Sequence, residues 1–564
     1  MTGRIQHHNC FSILGKKDGI VMLIALVITL LLTVLGLGTL LSSSKDILTT
    51  RSQGGGKKAF YAAEGGIVYG VKELNSLLVT TLAPTSAQLA AITAPSIPGF
   101  NFDSFSIVTS GSSALVALTT GPYAGLNSFA TPYTITSQAS GTATDSGTVR
   151  LTQTVQDELI PLFQFGVFYN DDLEIFPGPC MTFNGRVHSN SDLYIGPGST
   201  SNCSPNPTVD SRMTSAGDIF RCRKDTPLSC GNAQIKRSDG TYASLTYDHT
   251  DPNWATKAYN DWGGLVQDSA HQVQALNLPM ETTNPIDLIK RGDTIDPASS
   301  SESQSLKDSR LYWQADLRIL DGTAYDLNGN DVTSSLPPGS ISSANFFDYR
   351  ENKSVEVIEI DCGNLGASAP ANGILYASQT QSDPNVLKAI RLTNCATLPT
   401  GGLTVASDNP IYVKGDYNTV NKKGAAILGD AVTFLSNSWN DANSSLDLDT
   451  YRVASNTTVN AALATGNTTT TVGNYNGGLE NLPRFLEKWS GKTFTYKGSL
   501  VNLWQSQQAT GAWCYGYNEG CPIMGIYKAP NRVWSYDTDF NDPANLPPGT
   551  PSVRTLARNQ WARW

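Results

Sequence analysis

The apolar residues of this chain are concentrated in one long segment near its start. Residues 20–41, IVMLIALVITLLLTVLGLGTLL, carry no charged side chain. At about 1.5 Å per residue, a helix of this length crosses the roughly 30 Å hydrocarbon core of a bilayer. The run is longer than the apolar region of a secretory signal, and Ser42 leads into more helix-like sequence. The pattern predicts a membrane anchor, with a buried core helix as the alternative.

The helical pattern continues beyond the anchor, over residues 42–82. Three consecutive glycines, 54–56, interrupt it, and each costs about 1 kcal/mol in a helix interior. We therefore predict one long N-terminal helix with a soft middle. The apolar residues that mark its continuation stand mostly at three- and four-residue steps: Ile47, Leu48, Phe60, Ala63, Ile67, Val71, Leu74 and Leu78.

From residue 100 the apolar positions alternate with a period of two. The segments FSIVTSG, YTITSQASG and GTVRLTQTVQ are bounded by Gly and Ser, which is typical of antiparallel strands. They predict a β module over residues 83–160 that packs with the helix. A content of 15% charged residues and 50 glycines among 564 residues fits turn-rich β structure.

A nine-residue phrase recurs farther along the chain. Its gapless copies are VHSNSDLYI (187–195), MTSAGDIFR (213–221) and VASDNPIYV (405–413), with a degenerate copy AAILGDAVTF (425–434). A Ser followed by turn-forming residues and an apolar–aromatic pair predicts a tight corner and a strand. Such units are typical of β-solenoids. We expect an irregular β-solenoid-like body over 161–440 and a mixed region over 441–564; chance recurrence of the phrase is the alternative.

Insertions separate these copies. Residues 250–292 have helix-like stretches, and residues 317–333 predict a hairpin of two short strands around Asn328–Gly329. Neighbouring Asp326 and Asp331 resemble a calcium loop, but the Gly is misplaced and no Glu closes the site. We therefore expect no cofactor, with calcium the one alternative.

The segment LENLPRFLEKW, residues 479–489, has apolar residues on one side of a helical wheel. It predicts a short helix whose other side is in solvent. The charged residues on that side are expected to be structural: Glu480, Arg484, Glu487 and Lys488.

The cysteines bear on the compartment. Of nine, Cys10 precedes the anchor and the rest follow it. An even set in loop-rich sequence favours disulfides and an oxidising compartment, with reduced thiols as the alternative. Roughly a hundred pairings are open. Proximity along the chain favours Cys180 with Cys203, Cys222 with Cys230, Cys362 with Cys395, and Cys514 with Cys521.

Net charge limits the partners. A formal charge of −9 without a basic stripe argues against nucleic acid. The basic C-terminal RTLARNQWARW is the exception, and we expect it to dock as a terminal helix or strand. Lysines and arginines flank the anchor on both sides, so the positive-inside rule leaves its orientation open.

The N-terminal pattern resembles that of type IV pilin-like proteins. Basic residues, Gly19, the apolar run and AFYAAEGGI resemble most the PilX-like branch of pilus assembly proteins, where an A-x-x-A-E-[AG]-G element follows the anchor. Phrases such as GRVHSNSDLYIG and NPIYVKGDYN resemble the bodies of large PilX-like proteins. The resemblance implies a cytoplasmic leader, residues 1–19, removed before Ile20, or else an uncleaved segment.

Two positions depart from the pilin pattern. Asp18 stands where a basic or neutral residue is commoner, and Ile24 stands where major pilins have a Glu that pairs with a neighbour's N-terminal amine. Glu64 is too far along the chain to replace that Glu. Because an unpaired charge in an apolar setting is costly and a paired one fixes register, this difference implies a minor or tip subunit.

The densest acidic group is Asp171, Asp172 and Glu174, beside Phe168 and Tyr169. Because DLEIF alternates, we expect Asp172 and Glu174 to share the exposed face of a strand. A calcium or sugar contact there is the alternative, whereas catalysis by a carboxylate pair is not expected.

These patterns predict a mainly β chain, and the PilX-like resemblance implies a non-enzymatic subunit of a bacterial type IV pilus system. It would be a single-pass inner-membrane protein whose body is periplasmic or extracellular, for assembly priming or adhesion. Its expected partners are other pilins, pilus assembly proteins and surface glycans. A membrane-tethered polysaccharide-binding or polysaccharide-cleaving enzyme is the alternative, and a pseudopilin of type II secretion is a third reading.

Overall fold

The computed structural model describes residues 16–142, 147–198, 207–517 and 521–563. The molecule is mainly β behind a long N-terminal helix, which confirms the predicted class. The described helices are α1 Lys16–Thr80, α2 Ser86–Ala90, α3 Trp254–Trp262, α4 Gln304–Ser309, α5 Leu311–Gln314 and α6 Cys362–Leu365.

The strands follow in three groups. The first group is β1 Phe100–Thr109, β2 Ala114–Ala117, β3 Asn127–Gly141 and β4 Thr148–Pro161. The second is β5 Val167–Tyr169, β6 Leu173–Ile175, β7 Thr182–Phe183, β8 Val187–Ser189, β9 Leu193–Ile195, β10 Thr208–Val209, β11 Met213–Ser215, β12 Ile219–Phe220, β13 Gln234–Lys236, β14 Tyr242–Ser244 and β15 Val266–Gln267. The third is β16 Leu317–Leu320, β17 Thr323–Asp326, β18 Ile341–Asp348, β19 Lys353–Asp361, β20 Ile374–Ser378, β21 Val386–Thr393, β22 Leu403–Ala406, β23 Ile411–Lys414, β24 Ala425–Gly429, β25 Val432–Leu435, β26 Thr457–Asn460, β27 Ala462–Thr465, β28 Pro483–Phe485, β29 Thr493–Gly498, β30 Leu500–Asn502, β31 Asn531–Tyr536 and β32 Ser552–Arg563.

The second part of α1, residues 59–78, packs on an antiparallel sheet, here called the helix-bound sheet. The strand order of this sheet is β1-β3-β4-β32, with β2 paired to β3. The C-terminal segment is therefore a strand, β32, and it pairs with β4. The core between helix and sheet is formed by buried apolar residues from both sides, among them Ala63, Ile67, Leu74, Leu78, Ile135, Leu151 and Val155.

The rest of the chain forms mostly parallel sheets. The longest, here called the long sheet, has eleven strands in the order β15-β11-β8-β5-β30-β27-β24-β22-β20-β16-β17. The chain enters at β5, runs outward to β15, continues at the far end with β16 and returns to β30, which pairs in parallel with β5. The body thus consists of two runs of strands that meet in the middle, at a place we call the junction.

Two further faces accompany the long sheet. The second face holds β6, β9 and β12 from the first run and β18, β19, β21, β23, β25 and β28 from the second run. The third face holds β7, β10, β13 and β14 from the first run and β26, β29 and β31 from the second run. Among the described residues, only the long sheet carries a strand ladder across the junction. The second face is interrupted there between β6 and β28.

The recurring nine-residue phrase stacks in register. Val187 pairs with Met213 and Leu193 pairs with Ile219. The rings of Tyr194 and Phe220 stack with centroids 4.5 Å apart. The hydroxyl of Ser189 accepts a hydrogen bond from the backbone N–H of Ser191 (3.2 Å) and that of Ser407 accepts one from Asn409 (3.0 Å), so this Ser stabilises the corner. The third copy pairs likewise with the degenerate one through Val405–Ile427 and Ile411–Val432.

Local expectations are corrected at two places. Residues 54–56 do not interrupt α1, which is continuous through them. The 317–333 hairpin turns at Asp321–Gly322, where φ is 51° and 90°, and not at Asn328–Gly329. Both dipeptides suit a tight turn, but only the first is flanked by strands in register; Asn328–Gly329 forms the next turn, closed by a Tyr325–Asp331 bridge.

Candidate functional site

The first part of α1 presents a continuous apolar surface. Every large apolar side chain from Ile20 to Leu41 is at least 45% exposed. Gly19 lies within α1, Ile24 is 51% exposed on this surface, and Glu64 lies on the exposed side of the later part of the helix. By length and composition, this is the one described helix that could cross a membrane.

The second part of α1 lies unusually close to its sheet, because its contacting residues are small. Ala59 and Ala63 are fully buried. A Cβ on Gly66 would lie 2.2 Å from the Ser137 hydroxyl oxygen, and one on Gly70 would lie 2.8 Å from Ile135 Cγ2. The AAEGG element therefore has a packing role in this chain: it lets the helix backbone approach β3.

A buried arginine fixes the end of α1. The Arg554 guanidinium, on β32, donates to the carbonyl oxygens of Leu78, Thr81 (3.0 Å) and Leu82 (2.7 Å). It also pairs with Asp157 of β4, at 2.6 Å from Nε to Oδ1. Burial raises the pKa of Asp157, and the nearby Arg554 charge opposes that rise. Helix, β4 and β32 thus meet at one ion pair that also caps the last helical carbonyls.

The predicted acidic group is divided by the structure. Asp171 is exposed, and Asp172 pairs with Lys224 at 2.6 Å. Burial opposes ionisation of Asp172, but hydrogen bonds from Lys224 and Ser191 bring its pKa below the usual value. The expectation that Glu174 shares an exposed face is wrong: both faces of β6 are covered, Glu174 is 3% exposed, and burial raises its pKa to about 6.

The charged residues of 479–489 are also placed differently from the prediction. The segment is a single 3₁₀ turn, Leu479–Asn481, followed by β28. Glu480 and Glu487 are buried rather than in solvent, and burial raises the pKa of each to about 7. Arg484 is buried and pairs with Glu351 at 3.0 Å. The missed signal is Pro483, which does not fit a helix interior.

Disulfides fix several loops of the body. The structure joins Cys222 to Cys230, Cys362 to Cys395, and Cys514 to Cys521. Cys180 is also disulfide-bonded, and Cys203 lies outside the described residues. Bonds of this kind persist in oxidising compartments.

Metal ligation finds no support in the described ranges. No group of three or more His, Cys, Asp or Glu side chains there is placed to hold an ion. In the loop that resembles a calcium site, Asp326 instead accepts hydrogen bonds from the backbone N–H groups of Asn328 (2.9 Å) and Asn330 (2.8 Å). Its carboxylate therefore stabilises the turn.

Comparisons with known proteins add little. No protein-family model matches this chain, and no curated protein matches it in sequence. Among solved structures, the crystal structure of the competence-associated pilin ComZ from Thermus thermophilus is similar at 11% identity, over 90% of this chain and 97% of that chain. The TM-score is 0.30, which does not establish a shared fold, so the likeness assigns no role to this chain.

Proposed function

We propose that this chain is a pilin-like subunit, held in a membrane by the first part of α1 and presenting a large β body beyond it. The observation that carries the proposal is the division of α1. Residues 20–41 expose apolar side chains to every side, whereas Ala59, Ile67 and Leu78 are buried on the helix-bound sheet. An apolar surface of that extent is stable in a bilayer or against like helices in a filament.

The proposed subunit is minor or located at the filament tip, and it belongs to the PilX-like branch. Ile24 supports this placement, because it offers no carboxylate to pair with a neighbour's amine. A shaft subunit without that pair would leave a neighbouring charge unpaired in an apolar setting. A subunit with no neighbour above it has no such cost.

We propose further that the body is an irregular β-solenoid. Its support is the repeated order in which the chain visits three faces: β8 on the long sheet, β9 on the second face and β10 on the third, then β11, β12 and β13 in the same order. The in-register stacking of residues 187–195 on 213–221 agrees with this architecture. Long helical and hairpin insertions make it irregular.

The proposed work of the body is display, outside the cytoplasm, for assembly priming or adhesion, with other pilus components as partners. The proposal includes no catalytic role. A polysaccharide-cleaving site would need two free carboxyl groups on one cleft. In the cavity of Glu174, Asp172 is paired with Lys224, and in the cavity of Glu480, Asp225 is paired with Arg223.

The test is the N-terminus of the protein after co-expression with a prepilin peptidase, by intact mass and N-terminal sequencing. The expected product begins at Ile20. A Gly19→Val variant should keep Met1, and the matched Gly36→Val variant, altered inside the anchor, should be processed normally. Wild-type protein that keeps Met1 would overturn the pilin pathway and leave a membrane-tethered body.

A further inference from the structure

The junction contains a large cavity. It measures about 1090 Å³ and lies where the second face is interrupted. Phe176, Arg223 and Asp225 line it from the first run of strands, and Tyr475, Glu480, Asn481, Trp513, Tyr515, Tyr527 and Arg532 line it from the second. A volume at the upper end of small-molecule sites accommodates a short chain of ring-shaped units.

Aromatic rings form much of its wall. Tyr475 and Trp513 meet edge to face with centroids 5.5 Å apart, as do Tyr515 and Tyr527. The Trp513 indole N–H donates to the Tyr527 hydroxyl at 3.0 Å, which fixes both side chains. Tyr515 is 38% exposed. Held rings with a free face suit ligands that have an apolar C–H face.

Polar groups converge on the same space. Glu480 is 6% exposed, and its Oε2 has no hydrogen-bond partner in the described part of the chain; neither do the Tyr475 hydroxyl and Arg532 Nε. Buried polar atoms left in this state are costly, so these three suit a ligand that hydrogen-bonds with them. Burial raises the pKa of Glu480 to about 7, so near neutrality its carboxyl both donates and accepts, as hydroxyl ligands require.

The charges of the cavity cancel in pairs. Arg223 pairs with Asp225 at 2.9 Å and lies over the Tyr475 ring, 4.3 Å from its centroid. Arg532 donates to the backbone oxygen of Glu480 at 3.2 Å, and its charge acts on the Glu480 carboxyl. Since Arg223 is paired and Arg532 has the partly ionised Glu480 beside it, the cavity offers hydrogen bonds and ring faces but little net charge.

We propose that this cavity binds a neutral oligosaccharide, whose sugar rings have apolar faces for Trp513 and Tyr515 and hydroxyls for Glu480, Asn481 and Arg532. The inference concerns binding without cleavage, because the second acid of this cavity, Asp225, is paired with Arg223. It deepens the adhesive part of the proposed function and takes its biological meaning from it. The binding itself needs neither processing nor a filament.

The experiment is a titration of the detergent-solubilised full chain with three neutral hexasaccharides, maltohexaose, cellohexaose and chitohexaose, and with an acidic one, hexagalacturonate. Calorimetry and tryptophan fluorescence report binding. We expect saturable binding of at least one neutral probe, weakened about tenfold by Trp513→Leu, since an aromatic contact contributes about 1 kcal/mol or more. The matched Tyr259→Ala variant removes an aromatic residue that is 62% exposed on α3, outside the cavity, and should bind normally.

Tyr515→Ala, at the partly exposed ring, serves if Trp513→Leu does not fold. No binding of any neutral probe, preference for hexagalacturonate, or binding unchanged in both variants would overturn the inference. Gly19→Val should bind the sugar normally, so failure of the pilin pathway and failure of this inference remain distinguishable.

Discussion

Two contacts hold this molecule together, and they are built differently: the packing of α1 on the helix-bound sheet, here called the helix seam, and the junction. At the helix seam, the second part of α1 packs on the helix-bound sheet through small residues and closes at the Arg554–Asp157 pair. At the junction, the two runs of strands are joined by one ladder, and the space beside it contains Glu480 with an oxygen that lacks a partner. Both seams bury charge, but the buried Asp157 forms an ion pair with Arg554, whereas the buried Glu480 forms none among the described residues.

The helix seam has the features of a stabilising contact, and the junction has the features of a binding site. A seam filled by small side chains and a paired charge stabilises the packing of the helix on the sheet. A seam with a cavity and a carboxyl of raised pKa gives up stability near neutrality, which is common at sites with another task. Variants at the helix seam should therefore change stability at every pH, and variants at the junction should change its pH dependence.

The largest expected effect is at the helix seam. Arg554→Met should lower the free energy of unfolding by about 3–5 kcal/mol, because Asp157 is left buried without its partner and three carbonyls at the end of α1 and just beyond it lose their donor. Urea unfolding of the detergent-solubilised chain measures it. Arg558→Met, exposed on the same strand, is the matched control and should change little. A loss below about 1 kcal/mol would show that the pair does not close this seam.

The next effect concerns the junction and depends on pH. The raised pKa of Glu480 means that its contribution to stability is fully present below its ordinary value of 4.5 and is lost as pH rises through about 7. Glu480→Gln stays neutral throughout. Its stability relative to wild type should therefore increase by about 3 kcal/mol between pH 4.5 and pH 8.

The control for this pH dependence is Glu356→Gln, whose carboxylate is 50% exposed. Its stability relative to wild type should vary by less than about 0.5 kcal/mol over the same range. Glu487 titrates in wild type and variant alike and cancels in the difference, whereas Glu174, whose charge adds to burial in raising the pKa of Glu480, cancels only in part. A pH-independent difference for Glu480→Gln would mean that the junction does not hold its carboxyl in a desolvated state.

Much of the fold follows from local pattern in the sequence. The uncharged run 20–41, the alternation after residue 100 and the phrase at 187–195 each depend on a few neighbouring residues, and each has its structural counterpart. The recurrence of the phrase at 187–195 and 213–221 was visible because both copies have a Ser, turn-forming residues and an apolar–aromatic pair in the same order. Turn placement at Asp321–Gly322 was less accessible, since two dipeptides compete and only tertiary pairing decides.

The junction could not be predicted in the same way. Glu174 lies in the first run and Glu480 in the second, and their proximity depends on β30 pairing with β5 across most of the body. Alternation in DLEIF indicates a strand but does not show whether one face or both are covered. Pro483 could have excluded the helix predicted over 479–489, yet it could not have shown that Glu480 and Glu487 are buried.

The smallest of these effects compares the two parts of α1 directly. Gly66→Leu should destabilise the chain by about 1–3 kcal/mol, because its side chain must enter space occupied by Ser137 and Phe102. This cost of overpacking exceeds the roughly 1 kcal/mol that Leu gains over Gly in a helix. Gly36→Leu is the matched change in the same helix, where nothing lies within 4 Å of the new Cβ. It should leave the unfolding of the body unchanged. Equal effects at both positions would mean that close approach of helix and sheet does not stabilise this contact, and that the two parts of α1 do not differ in how they tolerate a larger side chain.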